Sequence, residues 1–160
     1  VSIIMNILKN LGIKNVEFKW PNDIFIKKKK VAGILIETNV YRGKINKFII
    51  GIGINIVKKT FKKNIQNISL SELKINLDAI NFFFLISKKL SDFTTNMNKI
   101  NYENLSQTLS KVFFKKTSII KISLGKESLS GKFKKIDSSG QLVLTNDDKD
   151  FKLNYGEIIW

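Results

Sequence analysis

Apolar residues near the start of the chain, Ile3, Ile4, Ile7, Leu8 and Leu11, recur every three to four places and predict a helix over 2–11, with Gly12 as its C-cap. The period then shortens to two. Val16, Phe18 and Trp20 alternate with polar neighbours, which predicts a strand. Pro21-Asn22-Asp23 has turn chemistry, and Ile24 to Ile26 begin a return strand, so 16–27 is expected to be a hairpin. Two longer runs rich in β-branched residues, 31–40 and 44–56, flank the turn YRGK and are expected to be central strands.

Further along, Ser69-Leu70-Ser71-Glu72 matches a capping box and should open a short helix. Residues 78–98 predict a long amphipathic helix whose inner stripe carries Ile80, Phe83, Phe84, Ile86 (or Leu85), Leu90 and Phe93. The cluster Phe82-Phe83-Phe84 is expected to pack in the core. Residues 101–114 predict another helix. From Thr117 short alternating runs are broken by Gly125-Lys126, Ser138-Ser139-Gly140 and Asn146-Asp147-Asp148, the pattern of a small β-barrel. The expected class is α+β: a mixed β-sheet flanked by helices over 1–114, then a small all-β domain over 115–160.

Composition changes this picture in two ways. The net charge of +15 invites a nucleic-acid reading, yet Arg42 is the only arginine among 28 basic residues. Groove and phosphate readers exploit the planar guanidinium, and dispersed lysines are usually a solvated surface, here alongside abundant Asn, Ile and Phe. Nucleic acid is therefore not the expected partner. The chain also has no histidine and no cysteine, which excludes Ser-His-Asp and Cys-His catalysis, His- or Cys-ligated zinc and disulfides within it. Chemistry must run on lysine, carboxylates, amides, hydroxyls and backbone groups. A hydrophobic fraction of 43% fits a folded globule, no apolar run is long enough to span a bilayer, and a cytoplasmic location is expected.

Two stretches can carry such chemistry. In GIGIN, a strand would turn Gly51, Gly53 and Asn55 to one face: two bare positions, then an amide. Glycines inside a strand mark close approach by a ligand or by another backbone, and a carboxamide can read an adenine edge. A bulge or a packing contact explains the glycines equally well. In KKKKVAGILIE, strict alternation places Lys30, Ala32, Ile34 and Ile36 on one face and Val31, Gly33, Leu35 and Glu37 on the other. Lys27 to Lys29 should be solvated at the hairpin exit. Lys30, last before the apolar run, is drawn toward the sheet, either for function or as a strand-entry lysine.

Taken together, KWPND, a lysine before an AGI strand ending in an acidic residue, and a GxGIN strand, in that order, resemble the biotin–protein ligase family, biotin–[acetyl-CoA-carboxylase] ligase. The tail closing on YGEII resembles that family's C-terminal SH3-like domain. The resemblance implies a ligase domain related to class II aminoacyl-tRNA synthetases over 1–114, N-terminally truncated, and an SH3-like barrel over 115–160. The family's glycine/arginine-rich loop is absent, so the chain is expected to begin within the catalytic domain and to be inactive alone.

The implied activity, expected of the intact protein, is ATP-dependent conversion of biotin to biotinyl-5′-AMP. Transfer to a lysine of the biotin carboxyl carrier protein of acetyl-CoA carboxylase follows. By resemblance Lys30 contacts biotin and the adenylate, and Asn22 and Asp23 lie near the nucleotide, with Asp23 also near Mg²⁺. Asn55 faces adenine, while Gly33, Gly51 and Gly53 let the ligand approach the backbone. The implied substrates are ATP and biotin, with Mg²⁺ on the phosphates, and a homodimer is left open. A stretch over 57–68 bearing Phe61 is expected where some members place a closing loop. The alternatives are a lipoate ligase-like enzyme and a non-catalytic basic module that binds nucleic acid.

Overall fold

A computed structural model describes residues 1–58 and 66–159. Helix α1 (Ser2–Asn10) buries Ile4, Met5, Ile7 and Leu8 and ends as expected, with the Gly12 N–H donating to the Lys9 carbonyl at φ +85°. Strands β1 (Val16–Lys19) and β2 (Asp23–Ile26) form the anticipated hairpin. Strand β3 (Lys29–Tyr41) turns back into β4 (Lys44–Ile54) through Arg42 and Gly43. Both turn residues have positive φ, 49° and 74°, which matches the twist that a two-residue hairpin turn requires.

The four strands lie in the order β1-β2-β3-β4, and every pairing is antiparallel. This corrects the expectation of a mixed sheet. Short turns join each consecutive pair, and such turns impose antiparallel pairing, whereas parallel neighbours need a long crossover. Parallel contacts among the described residues are confined to two isolated bridges, Phe18 with Phe113 and Lys30 with Asn67. The hairpin projects beyond the core: residues 35–49 are exposed on both faces, including Leu35, Ile36, Val40, Phe48 and Ile49.

The capping box forms. Ser69 Oγ and the Ser69 N–H both donate to Glu72 Oε2, at 2.8 and 3.0 Å, and the Glu72 N–H donates back to Ser69 Oγ. The turn it opens is 3₁₀, Ser71–Leu73. Helix α2 (Ala79–Thr95) starts at Asp78, which caps the Asn81 N–H, and α3 (Tyr102–Lys111) starts at Asn101, which caps the Asn104 N–H. Only Phe82 of the aromatic triplet enters the core; Phe83 and Phe84 are each 64% exposed, and Ile80 is exposed as well. The inner stripe runs Phe82, Ile86, Leu90, Phe93, rotated from the expected one.

Strands β5 (Ile119–Ser123), β6 (Ser128–Ile136), β7 (Leu142–Asn146), β8 (Lys149–Leu153) and β9 (Glu157–Ile159) make a second antiparallel sheet in the order β8-β7-β6-β5-β9. Among the described residues β8 and β9 are its two open edges, so the expected barrel is not closed. The two sheets share a continuous apolar core. Phe113 stacks on Phe133 at 3.9 Å, the Trp20 Nε1–H donates to the Gly140 carbonyl, and Ser110 Oγ accepts from the Ile136 N–H. Trp20 is therefore a core residue.

Candidate active site

Alternation along β1 and β2 sends Val16, Phe18, Ile24 and Ile26 inward and leaves Glu17, Lys19, Asp23 and Phe25 on the opposite, half-buried face. Lys27 and Lys28 make the turn into β3 with φ of 51° and 62°, and Lys29 is exposed. Lys30 differs from all three. Its N–H donates to the Gln66 carbonyl, and its own carbonyl accepts from the Ile68 N–H at 3.0 Å and from Asn55 Nδ2 at 3.1 Å. The backbone at this position is thus held from two sides.

Strict alternation does not describe the start of β3. Ile24 pairs with Ala32 while Phe25 pairs with Lys30, so Val31 is the extra residue of a bulge and is itself fully buried. The bulge moves Lys30 onto the face of Gly33, not that of Ala32 and Ile34. There the Lys30 ammonium forms an ion pair with Asp23 Oδ1 at 2.6 Å, with 35% and 19% of the two side chains exposed. A β-carbon on Gly33 would stand 3.0 Å from Asp23 Oδ1 and 3.1 Å from Lys30 Nζ. The missing side chain at Gly33 is what gives the pair its space.

Gly33 pairs with Gly53 across β3 and β4, and Leu35 pairs with Gly51. The result is a bare strip of backbone beside the ion pair. Asn22, Asp23, Lys30, Gly33, Gly51 and Gly53 line one open groove of about 460 Å³ along it. The structure therefore brings together six of the seven residues singled out from sequence.

Asn55 is the seventh, and it sits apart. Both described bonds of its amide nitrogen go to main-chain carbonyls, those of Lys30 at 3.1 Å and Ile68 at 3.3 Å. Its backbone N–H donates to the Val31 carbonyl, and its own carbonyl accepts from the Leu70 N–H. In this arrangement Asn55 ties the end of β4 to the Lys30 backbone. Phe61 and the rest of 59–65 lie outside the described residues.

Lys19 was missed by the sequence reading, although it belongs to KWPND. It pairs in register with Asp23, and its ammonium lies 5.8 Å over the Phe25 ring. Burial pushes its pKa down, the negative charges of Asp23 and Glu157 work against that, and Lys30 and Lys115 add to it. On the same face, burial raises the Glu17 carboxyl against the pull of Lys28. Strand parity in β1 was the signal that could have found Lys19, since it shares a face with Asp23.

A larger cleft of about 890 Å³ lies along Lys14, Glu17, Lys27, Lys28 and Lys115. Its size alone does not recommend it, since it has neither the bare glycine strip nor the Lys30–Asp23 pair. The chemistry therefore points to the smaller groove. A resident Mg²⁺ does not fit that groove. It would need several oxygen ligands, and Asp23, the groove's one carboxylate, already pairs with Lys30. Among the described residues no group of three acidic side chains is arranged to hold a metal ion.

Residues 1–55 match the sequence profile of the biotin/lipoate A/B protein ligase family. The bifunctional ligase/repressor BirA of Escherichia coli is 30% identical over 154 residues, covering 92% of this chain and 47% of that protein. Biotin–protein ligase 1, chloroplastic, of Arabidopsis thaliana is 42% identical over 48 residues, 30% of this chain and 13% of that protein. The chain thus spans about half the length of the bacterial relatives it matches. In fold it is similar to the biotin protein ligase from Aquifex aeolicus in complex with biotin and ATP, with a TM-score of 0.78 at 20% identity, covering 99% of this chain and 66% of that one. The Leishmania major enzyme in complex with biotinyl-5-AMP gives 0.57 at 22% identity, covering 96% and 68%. Likeness at such identity speaks to the fold alone.

Proposed function

We propose that this chain, which belongs to the biotin–protein ligase family, forms the nucleotide-facing wall of a site that activates biotin with ATP and passes it to a protein lysine. The observation that carries the reading is the Lys30–Asp23 pair set beside the bare Gly33–Gly53 strip, a cation next to backbone that a planar ligand can approach. The reaction belongs to the complete ligase, and contacts to the biotin ring are to be sought in segments that the relatives carry outside the matched span. The acceptor is the biotin carboxyl carrier protein of acetyl-CoA carboxylase. No helix among the described residues is long and apolar enough to cross a membrane.

The chemistry suits a chain without histidine. In the first step an oxygen of the biotin carboxylate bonds to the α-phosphorus of ATP, and the bond to pyrophosphate breaks. The carboxylate is already ionised at neutral pH, so positioning and charge neutralisation are the main requirements. Lys30 supplies a cation that gains most as charge builds on the phosphoryl oxygens. In the second step the acceptor lysine, as a neutral amine, bonds to the acyl carbon, AMP leaves, and the nitrogen loses its proton. The role we assign to Asp23, once Lys30 turns to the phosphoryl oxygens, is to accept a hydrogen bond from that amine.

Pyrophosphate exchange into ATP tests the reading. With full-length ligase, biotin should support exchange, and Lys30→Ala should lower the rate by at least 100-fold without unfolding the protein, a loss of the size that electrostatic groups at a reacting centre produce. Wild-type exchange by that variant would remove Lys30 from the mechanism. The family profile also covers lipoate ligases, so lipoate belongs in the same assay. Exchange with lipoate and none with biotin would reassign the substrate.

A further inference from the structure

We propose that Lys19 is a positioning residue of this site: it takes over as the counter-charge of Asp23 when Lys30 turns its ammonium to an anionic ligand. This rests on the reading of the groove as an adenylate site, and it adds a residue that the groove does not touch.

Asp23 can satisfy only one demand through Lys30. In the free protein the two are paired at 2.6 Å. A ligand phosphate beside the glycine strip competes for the same ammonium. Once Lys30 moves, a carboxylate that is only 19% exposed stands next to phosphoryl oxygens. Like charges at that range repel strongly in a partly buried site. The site needs a second cation on the far side of Asp23.

Lys19 stands there. It is the cross-strand partner of Asp23, so their side chains leave the same face of the sheet as immediate neighbours. Its ammonium has no ion pair within 4.0 Å among the described residues. A lysine so placed usually extends its ammonium into water, yet this one is half-buried over an aromatic platform. Phe25 provides the ring beneath it and stacks on Phe114 at 4.6 Å.

The remaining charges around Lys19 are arranged to hold it within reach. Glu157, at the start of β9, attracts it from the second sheet, and Lys115, whose ammonium lies 5.6 Å over Phe114, repels it. Lys30 also repels it, and that repulsion weakens when Lys30 moves toward a ligand. Departure of Lys30 therefore both frees Asp23 and removes a charge that keeps Lys19 off it.

Two measurements decide the matter. In the ligand-free chain, Lys30→Met should bring the Lys19 ammonium onto Asp23. Nitrogen-15 NMR of the lysine side chains would show this as a new, slowly exchanging ammonium signal that Asp23→Asn abolishes. If Lys30→Met does not fold, Lys30→Gln gives the same readout. An unchanged Lys19 signal overturns the proposal. In the full-length ligase, Lys19→Met should slow biotin-dependent pyrophosphate exchange by 10- to 100-fold. Lys19→Arg should recover most of that loss, and adding Lys19→Met to Asp23→Asn should cost no more than about 2-fold. Independent, multiplying losses, or wild-type exchange by Lys19→Met, would overturn it. Absence of exchange in the unmutated ligase with either biotin or lipoate would sink the adenylate reading instead, and the NMR arm would still judge Lys19.

Discussion

Lys30 and Asp23 meet at 2.6 Å above a position, Gly33, where a β-carbon would come within about 3 Å of both. Gly33→Ala should therefore push the two charged ends aside by a few tenths of an ångström, because its methyl would stand 3.0 Å from Asp23 Oδ1 and 3.1 Å from Lys30 Nζ. Both ends are partly exposed and can yield, so the cost should sit at the low end of the overpacking range, about 1 kcal/mol, while the shifted pair lowers affinity for biotinyl-5′-AMP. Gly53→Ala is the contrast. Its β-carbon would meet nothing nearer than the Gly33 carbonyl at 3.9 Å, so thermal stability should hold while the groove fills and affinity falls. Thermal melts and calorimetric titration on the two variants separate these outcomes. Equal melting losses would show that the strip serves packing, not ligand approach.

Much of this site was legible because period and turn chemistry were both strong. The hairpins, the glycine strip and the place of Asp23 follow from alternation, from Pro21-Asn22-Asp23 and from YRGK. Lys30 was found on the wrong face. Periodicity counts residues, and the bulge at Val31 inserts one that no propensity announces. Likewise, hydrophobicity could not orient α2, because Phe82, Phe83 and Phe84 offer three consecutive candidates for one buried position. The antiparallel direction was implicit in the short turns, whereas the openness of the second sheet and the isolated parallel bridges depend on which edges meet. Those are tertiary facts that local patterns do not encode.

Asn55 distinguishes a scaffold role from a ligand-reading role. Its amide holds the Lys30 and Ile68 carbonyls together, and removing it takes one of two donors from the Lys30 carbonyl, which keeps the Ile68 N–H, and takes the side-chain donor from the Ile68 carbonyl. Asn55→Ala should lower folding stability by about 1–3 kcal/mol in denaturant titrations. Some loss of nucleotide affinity should follow, because the Lys30 backbone loosens. An Asn55→Ala protein with unchanged stability and a raised KM for ATP alone would instead assign the amide to adenine.

The Ser69–Glu72 box makes a pH prediction with a definite sign. Bonds from the Ser69 hydroxyl and then its N–H hold the Glu72 carboxyl below its ordinary value. A carboxylate depressed in the fold stabilises it above the unfolded pKa and loses that contribution as pH falls through the folded pKa. The stability gap between wild type and Ser69→Ala should therefore be largest near neutral pH and shrink as pH drops below the ordinary glutamate range. Thermal melts across that range check it. A gap that stays constant across that range would mean that Ser69, which is fully buried, acts through packing and not through Glu72.

Helix α2 offers the sharpest contrast between neighbours. Phe82 is 2% exposed and sits in the common core, whereas Phe83 and Phe84 turn their rings to the outside, packed edge to face at 6.0 Å. Truncating a buried phenylalanine removes both transfer energy and packing, so Phe82→Ala should cost about 3–5 kcal/mol. Phe83→Ala and Phe84→Ala should each stay within about 0.5 kcal/mol of wild type, as exposed substitutions usually do, apart from the small edge-to-face term. Urea titration of the three variants measures all of this directly. A large loss at Phe83 or Phe84, with little at Phe82, would mean that α2 is rotated on the sheet. The wall of isoleucines on β4, Ile50, Ile52 and Ile54, would then face a different stripe of the helix.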